Sequence, residues 1–196
     1  MTFILGLTGS IGMGKSTTAA MFADDHGIPV WNADDAVHRI YAAGGVAVPP
    51  IAALVPTAVQ GGAVCRVTLR QFIKQDPDLL GRIEAVVHPL VAADRARFLA
   101  HTTAEIAILD IPLLFENGTD AQSHATLLVT APPDIQRQRV LARPGMTAED
   151  FATILARQMP DAEKRSRANH IVETLDLPSV RAYVAALTNH IRGLHA

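Results

Sequence analysis

The sequence predicts an α/β fold in three layers, a parallel sheet covered by helices on both faces. Three observations predict it. Short, largely apolar runs alternate with longer segments of helical pattern. The runs are apolar enough to be buried on both faces, as parallel strands are. The segments between them are long enough to carry crossover helices, which return the chain to the same sheet with right-handed connections.

The elements follow in order. Phe3–Thr8 reads as the first strand, and Lys15–Asp25 as the helix after it. Ile28–Asn32 is a second strand, followed by a helix over Asp34–Ala42. Gly44–Gly62 is rich in glycine and carries Pro49, Pro50 and Pro56, so it is expected to be irregular. Thr68–His101 reads as helices without strands, with a helix boundary at His88-Pro89 because a residue before proline disfavours helix. Glu105–Asp110 and Thr126–Thr130 are strands, and Asp134–Leu141 is a helix. The charged stretch Arg143–Arg167 lies between Pro144-Gly145 and Ala168-Asn169. Thr147-Ala148-Glu149-Asp150 within it has the form of a helix start, a threonine cap with acids in the first turn. His170–Glu173 and Ser179–Ile191 supply the last strand and helix. Residues 1–196 therefore form one domain with two interruptions, about 44–101 and about 143–167, expected to cover a site formed by the sheet.

A chain of 196 residues buries roughly 70% of its unfolded surface and needs no disulfide or metal to fold. Hydrophobic residues at 49% against 18% charged exclude intrinsic disorder. The net charge of −2 gives no general surface for polyanions, and 5% aromatics argue against a base-stacking platform, so no nucleic-acid partner is expected. Cys65 is the single cysteine, which rules out an internal disulfide and a cysteine-built zinc site. The start, MTFILGLTGSIGMGKS, lacks a signal-peptide pattern, and Val46–Val59, within the uncharged stretch Ile40–Cys65, is too short and proline-broken to span a membrane. The expectation is a cytoplasmic protein with no membrane and no protein partner evident.

Gly9-Ser10-Ile11-Gly12-Met13-Gly14-Lys15-Ser16 fits G-x-x-x-x-G-K-[ST], between a strand and a helix as that motif requires. Glycines let the backbone curl and aim N–H groups at phosphate oxygens, and the helix start adds its positive dipole end. Lys15 would reach the β- and γ-phosphates, and the Ser16 hydroxyl would ligate Mg²⁺. The motif implies a bound nucleoside triphosphate and leaves the phosphoryl acceptor open. The second strand ends in Asn32-Ala33-Asp34, where strand C-termini line the ligand crevice of an open parallel sheet. Asp34 is a candidate base toward an acceptor hydroxyl; as a bare sequence feature it serves equally as a helix N-cap.

The set LTGSIGMGKST, NAD, His88-Pro89-Leu90, Asp110-Ile111-Pro112-Leu113-Leu114-Phe115-Glu116, Ile154-Leu155-Ala156-Arg157-Gln158 and Glu163-Lys164-Arg165 resembles the dephospho-coenzyme A kinase family over nearly the whole chain. The P-loop alone is unspecific; the ordered set is specific. The resemblance implies a P-loop kinase fold with a helical substrate-binding insert and a lid. It implies ATP as co-substrate, Mg²⁺, and transfer of the γ-phosphate to the ribose 3′-hydroxyl of dephospho-coenzyme A. By position it implies that Gly12, Met13, Gly14, Lys15, Ser16 and Thr17 hold the ATP phosphates and that Asp34 is the base. It implies substrate-binding positions at Thr8, at the turn into the loop, and at His88 and Glu116 on the acceptor side. It places Arg143, as a catalytic residue, and Arg157, as a substrate-binding one, in the lid, where arginines clamp the transferring phosphate charge. The chain departs from the family pattern at Asn32 and Asn169, which replace acids, and at Ser10, which replaces a glycine.

Other residues carry weaker signals. Asp110 either orders Mg²⁺ through water or caps the next turn, and His88 is either an acceptor contact or a helix-boundary residue. No H-x-x-x-H pair marks a zinc site, and Cys65 has no partner framework as a nucleophile. The rival readings are another P-loop kinase, for a nucleoside monophosphate or a small polyol, and a GTP-binding switch. The switch would carry an N-K-x-D motif, which this sequence lacks.

Overall fold

The computed structural model describes residues 2–194. In chain order the elements are β1 (Phe3–Thr8), α1 (Lys15–His26), β2 (Val30–Asn32), α2 (Ala33–Tyr41), α3 (Val48–Leu54), β3 (Val59–Gln60), β4 (Ala63–Val64), α4 (Arg66–Gln75), α5 (Asp78–His101), β5 (Ile106–Asp110), β6 (Ala125–Thr130), α6 (Pro133–Leu141), α7 (Ala148–Leu155), α8 (Asp161–Arg167), β7 (His170–Glu173) and α9 (Leu177–Gly193). They form two compact units. One comprises the chain up to Trp31 and again from Thr102 onward; the other is Asn32–His101.

The first unit is built on a five-stranded sheet in the order β2-β5-β1-β6-β7. β1 runs parallel to β5 and to β6, and β6 parallel to β7. Side chains on one face (Leu5, Leu7, Ile106, Ile108, Leu127, Val129) pack with Phe22 of α1 and with Val184, Leu187 and Ile191 of α9. The alternate residues Ala107, Leu109 and Leu128 are also fully buried. Both faces are therefore covered, which is why the strands read as continuous apolar runs. Packing on the second face is tight at Gly6, where a Cβ would meet Ser123 Oγ at 2.6 Å and Leu114 Cδ2 at 3.0 Å. The five predicted strands are the five strands of this sheet, with ends within two residues of those expected. The helix start expected at Thr147 is a full capping box. Its hydroxyl accepts the Asp150 N–H at 3.0 Å, and the Asp150 carboxylate answers to the Thr147 N–H.

The second unit packs α2, α3, α4 and α5 with the antiparallel β3–β4 hairpin around Ile40, Ile51, Val55, Leu69, Leu79, Ile83 and Val87. Two expectations fail here, both at prolines. Gly44–Gly62 is not irregular throughout: α3 occupies Val48–Leu54, and Pro56 opens a 3-10 turn. Pro49 and Pro50 lie in the first turn of α3, where an N–H has no intrahelical acceptor to lose. His88-Pro89 is not a helix boundary either; α5 continues through it. Proline removes one N–H to C=O bond, but Ile83 and Val87 before it and Leu90 and Val91 after it pack into one core. That packing outweighs the local cost. No helix among the described residues is long and apolar enough to cross a membrane.

Candidate active site at the phosphate loop

Residues 9–14 connect β1 to α1. Gly12 (φ +79°) and Gly14 (φ +91°) take left-handed backbone, which a side chain would strain. A Cβ on Gly12 would also lie 2.5 Å from Val140 Cγ2 and 3.0 Å from the Gln136 carbonyl oxygen, so the loop sits directly against α6. Among the described residues only glycines have positive φ; Ser10 therefore replaces the family's glycine without strain. Gly14 caps α1 and supplies no side-chain acceptor, which leaves the first-turn N–H groups available to an anion.

The loop is braced from outside. The Ile11 N–H donates to Gln158 Oε1 at 3.0 Å, and Gln136 Nε2 donates to the Ile11 carbonyl at 2.7 Å. Thr174 Oγ1 donates to the Met13 carbonyl at 2.8 Å, and the Ala131 N–H meets Met13 Sδ at 3.0 Å. The buried Met13 side chain is thus a wedge holding the loop, and its backbone is tied down as well, the N–H donating to the Ser10 carbonyl at 3.2 Å. Lys15 forms an ion pair with Asp110 at the C-terminal end of β5. Asp110 is 1% exposed, and a carboxylate that deep requires a compensating cation.

A cavity of about 340 Å³ opens beside the loop, lined by Gly12, Gly14, Thr17 and Arg143 and by Thr174–Leu177. Arg139 fixes that second wall by donating to Thr174 Oγ1 at 2.7 Å and to the Thr174 carbonyl at 2.5 Å. Leu175 and Leu177, both exposed, give it an apolar rim. Asp176 caps α9 by accepting the Ser179 N–H at 2.8 Å, and that bond holds its carboxyl below the usual range.

The predicted site residues fall in several places. Gly12, Gly14, Thr17 and Arg143 share the cavity, with Lys15 and Ser16 in the opening turn of α1. Thr8 is fully buried and donates to the Pro112 carbonyl at 3.1 Å, bracing β1 to the segment after β5. Glu116 Oε1 accepts the Met159 N–H at 2.8 Å and lies 2.9 Å from Lys164 Nζ. The Lys164 ammonium is fully buried and makes this ion pair off the hydrogen-bonding direction; Glu116 Oε2 has no hydrogen-bond partner. Arg157 is exposed between α7 and α8 and does not line the cavity.

Asp34 and His88 belong to the second unit. The cap of α2 is Asn32, whose Oδ1 accepts the Asp35 N–H at 3.0 Å, so Asp34 stays exposed in the first turn with no capping duty. His88 is exposed midway along α5, which packs on α2. Asn169, the other replaced acid, accepts both the N–H and the hydroxyl of Thr126 through Oδ1, at 2.9 and 3.0 Å; its carbonyl oxygen suffices there.

Among the described residues no group of three or more His, Cys, Asp or Glu side chains forms a metal cage. The Ser16 hydroxyl and the Asp110 carboxylate are hard oxygen donors. They suit a small cation that keeps water and phosphate oxygens as its other ligands. Sequence reasoning misses Gln136, Gln158 and Thr174 as loop supports. They reach backbone atoms far away in the chain, which no spacing encodes; only Gln158 lies inside a quoted motif.

The sequence profile of the dephospho-CoA kinase family matches residues 3–176. The dephospho-CoA kinase of Cereibacter sphaeroides is 64% identical over 190 residues, covering 97% of this chain and 96% of that protein. The crystal structure of TT1252 from Thermus thermophilus matches with a TM-score of 0.84 at 38% identity, over 96% of this chain and 97% of the other. Dephospho-CoA kinase from Campylobacter jejuni matches at TM-score 0.67 and 17% identity over 97% of both chains, a likeness of fold. With a profile spanning most of its length and a relative this similar end to end, the chain belongs to the dephospho-CoA kinase family.

Proposed function

We infer that the protein transfers the γ-phosphoryl group of ATP to the ribose 3′-hydroxyl of dephospho-CoA, giving CoA and ADP, the final step of coenzyme A synthesis. One observation carries the reading: a glycine-shaped loop with uncapped first-turn amides and Lys15 at the start of α1, in a chain of this family.

Gly12 to Thr17 grip the triphosphate through backbone N–H groups. Lys15 shifts from Asp110 toward phosphate oxygens, exchanging one anionic partner for another. The cavity beside the loop takes the adenosine, with Leu175 and Leu177 against the base. Asp34, exposed and relieved of capping by Asn32, orients the acceptor hydroxyl and takes its proton. The helices within about 44–101 form the acceptor-binding insert, with His88 on the acceptor side. The stretch about 143–167 is a lid whose Arg143 and Arg157 offset the charge on the transferring group. Lid closure excludes water, which would otherwise accept the phosphoryl group. Thr8 and Glu116 act through the segments they brace. Mg²⁺ neutralises charge on the β- and γ-phosphate oxygens when bound; Ser16 would hold it, with Asp110 acting through water. A cytoplasmic setting completes the reading, since the lone Cys65 needs no oxidising compartment.

The test is an acceptor panel. With ATP and Mg²⁺, dephospho-CoA should stimulate ADP release, while nucleoside monophosphates and small polyols should not. Faster release with a monophosphate or a polyol would overturn the substrate assignment.

A further inference from the structure

We propose that Gln158 is a positioning residue for phosphoryl transfer, tying the base of the lid to the phosphate loop through the backbone of Ile11. The inference rests on reading residues 9–17 as the triphosphate grip, and it adds a residue to which that reading gives no role.

The loop's first half carries no helix or strand, only a turn over Ile11 and Gly12 closed by the Met13 N–H on the Ser10 carbonyl at 3.2 Å. Ile11 directly precedes Gly12, and its N–H and C=O are both held by side chains. Gln158 Oε1 takes the N–H at 3.0 Å, and Gln136 Nε2, from α6, holds the carbonyl at 2.7 Å. Gln136 is 5% exposed and fixed in the body of the unit. Gln158 is different: it belongs to the connection between α7 and α8, directly after Arg157. A backbone amide facing a phosphate site has two destinations, a ligand oxygen or a protein acceptor. Here the protein supplies the acceptor for Ile11, so this peptide is oriented before any ligand arrives.

The connection that carries Gln158 is itself pinned on either side of that contact. The Met159 N–H donates to Glu116 Oε1, and Lys164 pairs with the same oxygen. Asp161 Oδ1 accepts from Thr130 Oγ1 at 2.9 Å, at the end of β6. Residues 158–164 are thus fastened to the P-loop, to the segment after β5, and to β6. Of these ties, only the one through Gln158 reaches the phosphate loop. Cutting it leaves the fold's other fastenings in place but releases the Ile11 peptide and the register of Arg157 against the loop.

Gln158→Met keeps the length and loses the acceptor; Gln158→Glu keeps an acceptor and adds a charge beside the triphosphate. Gln158 is only partly buried, so both variants should fold, and their melting temperatures are measured alongside. Gln158→Met should lower kcat about tenfold, the size of one hydrogen bond, with KM for dephospho-CoA changed by less than about twofold. In the nucleotide-free protein its Ile11 amide should exchange with solvent faster than in the parent. Gln158→Glu should recover most of that kcat while raising KM for ATP, because a carboxylate then faces the phosphates. The proposal is overturned if Gln158→Met keeps the parent kcat, if the two variants lose kcat equally, or if Ile11 exchange is unchanged. Lys15→Ala, run in parallel, separates the two layers of the reading. Activity retained in Lys15→Ala would remove the phosphate-grip assignment itself, whereas an inactive Lys15→Ala beside a fully active Gln158→Met would remove only the role of Gln158.

Discussion

Asp34 and Asp110 are both carboxylates at or just past a strand end, and their surroundings divide their roles. Asp110 is buried against Lys15, so its charge is engaged with the lysine that opens α1. Asp34 is exposed because Asn32 does the capping. Asp34→Asn should slow turnover by about 10²–10⁴ while leaving the ATP-induced rise in melting temperature intact, since only the proton acceptor is lost. Steady-state kinetics beside thermal shift reads both; ordinary turnover in this variant would remove Asp34 from the role of base. The Glu116–Lys164 pair makes a second prediction at this scale. Lys164→Met strands a carboxylate and should cost about 3 kcal/mol or more. Adding Glu116→Gln should recover much of that, because the amide keeps the Met159 contact without an unpaired charge. Denaturant unfolding of both singles and the double variant measures the coupling; strictly additive losses would contradict it. The placement of Lys15 and Ser16 in the opening turn of α1 was legible in the sequence because the loop motif has fixed spacing. Glu116 and Lys164 both stand in the motifs that carry the resemblance, but their pairing was not legible, since an ion pair across 48 positions leaves no local pattern.

At the scale of elements, the strands were the most legible part. Burial on both faces demands unbroken apolar runs, and such runs stand out against charged helices. Prolines misled instead. Local sterics correctly describe what Pro49, Pro50 and Pro89 forbid, but not where a helix can accommodate them. At the start of α3 they cost nothing, and inside α5 the surrounding core overrides them. Pro89→Ala restores an N–H donor toward Ala85 and removes a steric conflict. A proline in a helix interior costs about 3 kcal/mol relative to alanine, against about 0.4–1 kcal/mol lost through a freer unfolded chain. The variant should therefore be more stable, read as a higher melting temperature. A lower one would mean that α5 is built around the distortion that proline imposes.

At the scale of the whole molecule, His170 is a pH-sensitive element outside the site. Burial, with His190 adding repulsion at 6.4 Å between rings, pushes the His170 imidazole below its ordinary value. The folded protein therefore prefers the neutral ring, while the unfolded chain takes up a proton near about pH 6.5. Stability from this group is fully present above that pH and is lost as pH falls through the folded value. His170→Asn should flatten the fall in melting temperature between about pH 7.5 and 5.5, and an unchanged slope would contradict this. The molecule's division at Asn32 was not legible in the sequence, because the chain leaves β2 and enters α2 without a linker. The central claim is phosphoryl transfer onto a ribose hydroxyl of dephospho-CoA, and the most direct measurement is the structure of the product. With ATP, Mg²⁺ and dephospho-CoA, phosphorus NMR and mass spectrometry should show one added phosphoryl group, on the 3′-oxygen, formed in step with ADP. ADP formed with the acceptor unmodified, or a phosphoryl group on any other oxygen, would contradict the account.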